Sequence, residues 1–312
     1  MTTCLFTHPA CIEHDPSPSH PESPERLRRI LQVLDGPEFE ALMRRAAPQA
    51  TTAQIATMHP KSQINRIFAK IPRSGYAQID TDTIASPGSG EGALRAAGAL
   101  VAAVDAVMAG EVDNAFCAVR PPGHHAEAEQ SMGFCLFNNV AIGAAHARNA
   151  HGLGRVAVMD FDVHHGNGTQ AMFWNEPDML YASTHQSPLY PGTGSATECG
   201  ASGNITNAPL PPGAGSEAFR EAMSAVVLPA IRQFVPEFLF ISAGFDAHLC
   251  DPLAQLQFTT DDYRWATEKL CEIADSCCKG RVVSTLEGGY DLTALGDSVA
   301  VHVQALTARS GG

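Results

Sequence analysis

Short apolar runs alternate with longer alanine-rich segments along this 312-residue chain, and this alternation restricts its fold more than any other feature. The runs show no period of two between apolar and polar residues, which is typical of strands buried on both faces of a parallel sheet. The predicted strands are residues 4–7, 115–119, 156–161, 179–183, 238–242 and 282–286. The predicted helices are residues 24–34, 92–108, 138–149, 216–234 and 260–277. Strands that alternate with helices need right-handed crossovers, so we expect an α/β protein with one open, doubly wound, mostly parallel sheet.

Glycine- and proline-rich tracts lie between the predicted elements, at residues 120–123, 191–194, 209–215 and 288–289. Ligands of open α/β sheets bind beyond the carboxyl ends of the strands, so we expect long loops there to carry the function. The chain has no internal repeat, no low-complexity linker and no abrupt change of composition. We therefore predict a single domain over residues 1–312.

The acidic charge balance of the chain argues against a nucleic-acid partner. The chain has 33 Asp and Glu against 20 Lys and Arg, so its formal net charge is −13. Binding to a phosphate backbone needs a basic face, and we therefore predict no nucleic-acid partner. The longest weakly polar stretch, residues 93–109, is interrupted by Arg95 and Asp105 and is too short to span a bilayer, so we predict no membrane association.

The nine cysteines do not indicate disulfides or a zinc finger. Their number is odd, they contain no Cys-x-x-Cys pair, and several lie in apolar runs where cysteine packs as a small hydrophobic residue. The first residues lack the basic region and the long apolar core of a signal peptide. We expect a reduced, cytoplasmic protein.

Residues 160–168, Asp-Phe-Asp-Val-His-His-Gly-Asn-Gly, follow a predicted strand. Asp160, Asp162 and His164 share one face if the extended conformation continues beyond the strand. Carboxylate and imidazole groups together suit a divalent cation. The alternative is a simple turn, since these residue types are common in loops. Clustered carboxylates repel each other unless a cation joins them, which favours the metal site.

Residues 238–248 repeat this arrangement, because an apolar strand ends in small residues that precede Asp246. Two carboxylates and one histidine would leave open positions for water and substrate, as a catalytic metal requires. A turn or helix-capping aspartate is the alternative at this position, and the motif at residues 160–168 favours a metal ligand.

Two further motifs carry proton donors and acceptors. His124 and His125 follow an Arg-Pro-Pro-Gly turn, and adjacent side chains point in different directions. We expect them to move a proton and stabilise charge rather than to bind one ion together, the alternative being two surface loop histidines. Gly288 and Gly289 permit a turn with positive φ that would place Tyr290 in a cleft. Its hydroxyl could then donate to an oxyanion, although packing over the turn is the more common role of such a tyrosine.

These four motifs, in the order in which they follow one another along the chain, resemble the histone deacetylase superfamily. This superfamily also includes acetylpolyamine amidohydrolases and acetoin-utilisation proteins. The similarity extends from residues 20–26, His-Pro-Glu-Ser-Pro-Glu-Arg, to residues 286–290, Leu-Glu-Gly-Gly-Tyr. Five separate segments agree in sequence and spacing. The resemblance implies an arginase-like open α/β fold and a deacetylase-like catalytic domain of the class II type.

The resemblance assigns a role to each motif residue. It implies three zinc ligands, which are Asp162, His164 and Asp246. It implies that His124 and His125 are the paired active-site histidines and that Tyr290 polarises the amide carbonyl.

Two more positions follow from the same resemblance. Asp160 matches the carboxylate that orients the first histidine of the pair. Asn167 stands where class I enzymes have a second aspartate, which is typical of class II and should leave His125 less strongly held in a charged form. The resemblance also implies a structural potassium site at Asp160, Asp162, His164 and Ser183.

A narrow tunnel for an acyl-lysine side chain is a further implication, in which aromatic faces hold a methylene chain. Its predicted lining residues are Gly133, Phe134, Tyr190, Leu253 and the rim acid Asp82, for which Asp80 is an alternative. Tyr190 stands where many relatives have phenylalanine, so the tunnel mouth should be slightly more polar. Leu253 stands where the polyamine-selective vertebrate relative has a glutamate. Arg26 is expected to line an exit channel for acetate.

The resemblance implies a zinc-dependent amidohydrolase that removes acetyl or related acyl groups from lysine-like amines, acting on linear amides other than peptide bonds. We expect one catalytic Zn²⁺ per chain, with Fe²⁺ as the alternative ion, and a structural K⁺. Acetylpolyamines and aryl amides remain alternative substrates for the same machinery, and a homo-oligomer is compatible with the sequence. A binuclear ureohydrolase needs further aspartate ligands, and an inactive acyl-lysine binder would be expected to have lost one of the residues named above.

Overall fold

The computed structural model describes residues 2–308, so the domain predicted over residues 1–312 extends at each end beyond the described residues. Within residues 2–308 the strands are β1 (Thr3–Thr7), β2 (Met43–Ala46), β3 (Ala77–Gln78), β4 (Ile84–Ala85), β5 (Asn114–Cys117), β6 (Val156–Asp160), β7 (Met179–Gln186), β8 (Ile205–Leu210), β9 (Phe238–Ala243) and β10 (Val282–Leu286). Eight of them form one sheet in the order β2-β1-β5-β10-β9-β6-β7-β8, and every pairing in it is parallel. The strands β3 and β4 form a separate antiparallel pair.

The helices of the described chain are α1 (Ala10–Glu13), α2 (Pro24–Leu34), α3 (Thr52–Ile55), α4 (Lys61–Lys70), α5 (Ser89–Met108), α6 (Asn139–His151), α7 (Asn167–Phe173), α8 (Ser216–Ala222), α9 (Leu228–Phe234), α10 (Thr260–Cys277) and α11 (Leu292–Thr307). A short 3₁₀ turn covers Pro37–Phe39. The helices α5 and α6 pack against each other, while α2, α10 and α11 form a second packed group. Every residue of β5, β6, β9 and β10 is buried, so both faces of the central sheet are covered, which confirms the predicted doubly wound α/β fold.

All six predicted strands are present, and the structure adds β2 and β8 at the two edges of the large sheet. The sequence of β2 is Met-Arg-Arg-Ala, and that of β8, Ile-Thr-Asn-Ala-Pro-Leu, contains a proline. An edge strand has one side without a partner and tolerates such residues. These strands therefore lack the continuous apolar run by which the central strands were predicted.

The helix predicted over residues 216–234 is interrupted. The structure has α8, then one π-helical turn at Met223–Val227, and then α9. Pro229 lies in the first turn of α9 and has no N–H to donate to the preceding turn. Loss of that hydrogen bond accounts for the change of helical register just before the proline.

Parallel pairing places the carboxyl ends of all eight strands at one edge of the sheet. The segments after β5, β6, β9 and β10 contain most of the predicted catalytic and metal-binding residues. The exceptions are Asp160, the last residue of β6, and Ser183, which lies within β7. The fold therefore brings together segments that are far apart in sequence. None of the helices within residues 2–308 combines the length and hydropathy that a membrane crossing requires.

At Gly98, in the middle of α5, the helix packs closely against the segment that follows β2. A Cβ atom there would overlap the carbonyl oxygen of Pro48 and lie 2.7 Å from the backbone nitrogen of Ala50. Helix propensity alone would favour alanine by about 1 kcal/mol. We expect Gly98→Ala to lower the free energy of unfolding by about 1–3 kcal/mol instead, because backbone atoms must move to admit the methyl group.

Chemical denaturation of Gly98→Ala beside Gly90→Ala provides the measurement. Gly90 is in the same helix, and a Cβ there would meet the ring of Phe68 at 3.3 Å, which requires only a small adjustment. A Gly98→Ala protein as stable as the wild type would show that α5 does not pack this closely.

Candidate active site

Three candidate metal ligands lie together at the carboxyl edge of the sheet. Asp162 and His164 follow β6, and Asp246 follows the neighbouring strand β9. One ligand atom from each lies within 4.8 Å of the other two. The Nδ1 atom of His164 is 3.1 Å from Asp162 Oδ1 and 3.2 Å from Asp246 Oδ2. Two carboxylates and one imidazole therefore converge on a single point.

Backbone N–H groups hold the two carboxylates in place. Gly288 donates to Asp162 Oδ2 at 2.8 Å, and Val163 donates to Asp246 Oδ1 at 2.9 Å. A Cβ atom at position 288 would overlap Asp246 Oδ2 and lie 2.5 Å from Asp162 Oδ2. Only glycine allows the backbone after β10 to approach the carboxylates this closely.

The electrostatics of the cluster favour a bound cation. Burial and the neighbouring Asp162 charge raise the pKa of Asp246 to about 7. Burial lowers the pKa of His164, but its hydrogen bonds to Asp162 and Asp246 outweigh this and raise it to about 10. The site thus holds a positive charge between two buried carboxylates, and a divalent ion would supply that charge in place of the histidine proton. The ligand types and their spacing fit a catalytic zinc site with open coordination positions.

His124 is fixed by Asp160, the last residue of β6. Its Nδ1–H donates to Asp160 Oδ2 at 2.9 Å, and the same oxygen accepts the hydroxyl of Tyr181 at 3.1 Å. Burial lowers the pKa of His124, but the charges of Asp160 and Asp162 outweigh it and raise the pKa to about 10. The strand ends at Asp160 instead of continuing, so Asp160 orients His124 and does not line one extended face with Asp162 and His164.

His125 is held differently from its neighbour. Its Nδ1–H donates to Asn167 Oδ1 at 2.8 Å, and the Asn167 amide in turn donates to Glu127 Oε1 at 2.8 Å. Burial lowers the pKa of His125, and the nearby His124 and His164 lower it further. His125 is therefore neutral, with Nε2 as a proton acceptor, while the ring of His124 lies 4.0 Å from it between centroids.

Tyr290 is placed by the turn after β10, where Gly289 has φ of +120°. The carboxylate of Asp251 accepts the backbone N–H of Tyr290 at 2.7 Å. The guanidinium carbon of Arg26 lies 4.8 Å from the centre of the phenol ring. Burial raises the pKa of Tyr290, so its hydroxyl remains protonated and can donate a hydrogen bond.

A cavity of about 260 Å³ leads to these groups. The residues that line it are Asp82, Pro122, His124, His125, Gly133, Phe134, His164, Leu189, Tyr190, Leu253, Gly288 and Tyr290. All five residues predicted from the resemblance to form a tunnel are among them. Tyr190 remains 38% exposed, and its ring meets that of His125 edge-on at 5.1 Å. Asp82 accepts the backbone N–H of Gly133 at 3.0 Å.

Arg26 does not line this cavity but lies behind Tyr290, in a fully buried ion cluster. Glu22 accepts hydrogen bonds from both Arg26, at 2.9 Å, and Arg120, at 2.7 Å to its other oxygen. None of the three side chains is exposed. Burial raises the pKa of Glu22, but the charge of Arg120 and its other partners hold it well below the usual range. The exit channel assigned to Arg26 stays a prediction.

The sequence motifs assigned no role to two acidic residues that support the site, Glu287 and Asp251, although Glu287 lies within the motif at residues 286–290. Glu287 accepts the backbone N–H groups of Gly123, at 2.7 Å, and His124, at 3.1 Å, and so fixes the turn that presents the histidine pair. Most hydrogen-bond partners of Glu287 and Asp251 are backbone N–H groups from distant parts of the chain, such as Gly123 for Glu287 and Tyr290 for Asp251. A pattern of side-chain types does not reveal such partners.

Ser183 lies in β7 directly beside Asp160 of β6. Its hydroxyl forms a hydrogen bond with His185 Nδ1 at 2.9 Å. The structural potassium site predicted at Asp160, Asp162, His164 and Ser183 stays a prediction.

Known proteins resemble this chain over almost its whole length. The family profile described as Histone deacetylase domain matches residues 20–306. The Histone deacetylase-like amidohydrolase of Pseudomonas aeruginosa is 42% identical over 276 residues, which cover 87% of this chain and 72% of that protein. Histone deacetylase 14, chloroplastic, of Arabidopsis thaliana is 38% identical over 322 residues, which cover 97% and 76%. The crystal structure of the HDA15 HD domain matches with a TM-score of 0.93 and 33% identity, and covers 100% of this chain and 89% of that one.

The buried ion cluster behind Tyr290 should contribute to the stability of the folded chain. Replacing Glu22 by glutamine leaves Arg26 and Arg120 buried without their anion, and removal of one partner of a buried pair typically costs about 3–5 kcal/mol. We expect Glu22→Gln to lower the free energy of unfolding by that amount at neutral pH. Because the pKa of Glu22 is lower in the folded than in the unfolded chain, this contribution is present above about pH 4.3 and is lost as the pH falls further.

Urea denaturation would measure the effect, with Glu25→Gln as the matched control. Glu25 is 59% exposed and pairs with Arg28 at the surface, so its loss should change stability by no more than about 1 kcal/mol. Equal stabilities for the two variants would mean that the Glu22 cluster does not contribute as its burial implies.

Proposed function

The chain belongs to the histone deacetylase family, and we propose that it is a zinc-dependent deacetylase acting on acylated lysine-like amines. The reaction would be hydrolysis of a linear amide other than a peptide bond, by one catalytic domain over residues 1–312. The observation that carries this proposal is the convergence of a three-ligand metal cluster, a histidine pair and a buried tyrosine at the base of one narrow cavity.

Asp162, His164 and Asp246 would hold the catalytic ion, for which zinc is our proposal and Fe²⁺ the alternative. A zinc ion held by these residues would lower the pKa of a bound water and polarise the acyl oxygen of the substrate. Backbone N–H groups of Gly288 and Val163 each hold one oxygen of these carboxylates, which would fix the two ligand side chains beside His164 before an ion binds.

The histidine pair moves the proton in this mechanism. His125 is neutral and takes a proton from the attacking water at Nε2, then returns it to the leaving amine. The carbonyl oxygen of Asn167 keeps the other proton on Nδ1. His124, held as a cation by Asp160, stabilises the negative charge that develops beside it.

Tyr290 supplies a hydrogen bond to the oxyanion that forms from the acyl oxygen. Asp251 fixes its backbone, and Arg26 lies against the face of its ring, so the hydroxyl is oriented before the substrate binds. A donor oriented in advance pays no reorganisation cost as charge develops.

The cavity supports a substrate with an unbranched apolar chain. Phe134 and Tyr190 present aromatic surfaces that suit methylene groups, and Asp82 offers an acceptor at the rim. Leu253 places an apolar group at a position where a second ammonium group would need an anion, which favours acyl-lysine over acetylpolyamine. Acetylpolyamines and aryl amides remain the alternative substrates.

A binuclear ureohydrolase would need further carboxylates beside the first ion. His248, two residues after Asp246, hydrogen-bonds with Thr260 at 3.3 Å and accepts the N–H of Cys250, so it is engaged elsewhere. An inactive binding protein would not need the complete set of ligands, histidines and tyrosine. Both observations support the hydrolase.

The remaining proposals concern a structural ion, the location of the protein and its partners. We propose a structural K⁺ at Asp160, Asp162, His164 and Ser183. We also propose a cytoplasmic location, which the nine free cysteines of the structure suit. A homo-oligomer is compatible with this function. No nucleic-acid partner is proposed, in view of the net charge of −13.

Replacement of Tyr290 by phenylalanine tests the mechanism and the substrate together. The variant keeps the ring against Arg26 but loses the oxyanion donor, and loss of one such donor typically lowers turnover by about 10²–10³-fold. We expect kcat to fall by that factor with little change in KM. Turnover would be measured on an acetyl-lysine peptide, an acetylated polyamine and a small aryl amide, with the peptide turned over fastest by the wild type.

Tyr76→Phe is the matched control, since Tyr76 is 52% exposed and lies outside the cavity. Near-normal turnover by Tyr290→Phe would remove this residue from the mechanism. Preference for the polyamine would overturn the proposed substrate class while leaving the hydrolytic mechanism in place.

A further inference from the structure

A second cluster of metal-binding side chains lies on the helices, apart from the cavity. Asp105 belongs to α5, and His146 and His151 belong to α6. The Nε2 atoms of both histidines point at the same oxygen, Asp105 Oδ1, at distances of 2.8 and 2.7 Å. One ligand atom from each residue lies within 4.8 Å of the other two. Within residues 2–308, this and the candidate active site are the two groups with such spacing.

The position of the cluster separates it from the proposed reaction. Asp105 is near the carboxyl end of α5, and His151 is the last residue of α6. Each helix leads into a parallel strand, α5 into β5 and α6 into β6, so the ends of these helices lie at the amino edge of the sheet. The cavity lies at the opposite edge.

We propose that Asp105, His146 and His151 bind a divalent transition-metal ion of the zinc and copper class, which joins α5 to α6. Imidazole and carboxylate are suitable ligands for these ions, and three protein ligands leave one position of a tetrahedral site for water. The histidines are 14% and 25% exposed, so an ion and its water can reach them.

Only a small movement is needed to admit the ion. Two ligand atoms about 2.0–2.1 Å from a tetrahedral zinc ion are about 3.3 Å apart. The present separations of 2.8 and 2.7 Å must therefore increase by about half an ångström. Asp105 is 53% exposed and can move outward by this distance.

The surrounding charges also suit a cation. Arg148 lies on α6 between the two histidines in sequence, but it pairs with Glu176 and Asp178. Among the residues that the structure describes, the ion-pair partners of Asp105 are His146 and His151, and neither is an arginine. The simpler alternative is that both histidines only donate hydrogen bonds to Asp105.

Zinc titration of the protein already loaded with its active-site ion distinguishes a metal site from a cluster that forms hydrogen bonds alone. Calorimetry should detect a second zinc ion per chain in the wild type. Free zinc at 100 times the dissociation constant of this site should raise Tm by on the order of 4 °C. The double variant His146→Ala/His151→Ala should lose the second ion and the rise in Tm, while its turnover of an acetyl-lysine peptide stays unchanged.

Two further variants locate each ion. Asn149→Ala, on the exposed surface of the same helix, should bind the second ion as the wild type does. Asp246→Asn should weaken the active-site ion and retain the second one, which separates this site from a binuclear active site. A single zinc ion per wild-type chain, or a second ion that persists in the double variant, would overturn the proposal.

Discussion

The repulsion between buried carboxylates at the ends of β6 and β9 determines the rest of this site. Asp162 and Asp246 are both buried, and burial together with the charge of Asp162 raises the pKa of Asp246 to about 7. Such a pair remains ionised only beside a positive charge. His164 supplies part of that charge in the structure, and a divalent ion would supply it in the enzyme. The glycine at position 288 follows from the same constraint, because backbone N–H groups must approach the carboxylates where a side chain would block them.

Behind the cavity, a buried carboxylate is likewise neutralised by positive charge. Glu22 is shared by Arg26 and Arg120, and Arg26 in turn donates to the backbone carbonyl groups of Glu287 and Gly289. Glu287 accepts the backbone N–H groups of the histidine turn. A chain of buried polar contacts thus connects α2, the turn after β5 and the turn after β10. These contacts fix the positions of Tyr290 and the histidine pair relative to each other.

The sequence predicted the central sheet and the candidate site residues because both leave local signals. Strands such as β9 are continuous apolar runs, and the residues proposed for chemistry directly follow them. The edge strands β2 and β8 were missed because Arg44, Arg45 and Pro209 interrupt the apolar pattern. Glu22 and Arg120 are 98 residues apart, and their pairing depends on tertiary structure. The surface cluster of Asp105, His146 and His151 likewise needs the packing of α5 against α6 before its ligands meet.

Titration of the metal-free protein with Zn²⁺, while turnover of an acetyl-lysine peptide is followed, tests the central claim most directly. The account predicts no turnover without the ion, full turnover once Asp162, His164 and Asp246 hold one equivalent, and no further change as more zinc binds. Turnover by the metal-free chain, or turnover that requires two equivalents, would contradict it.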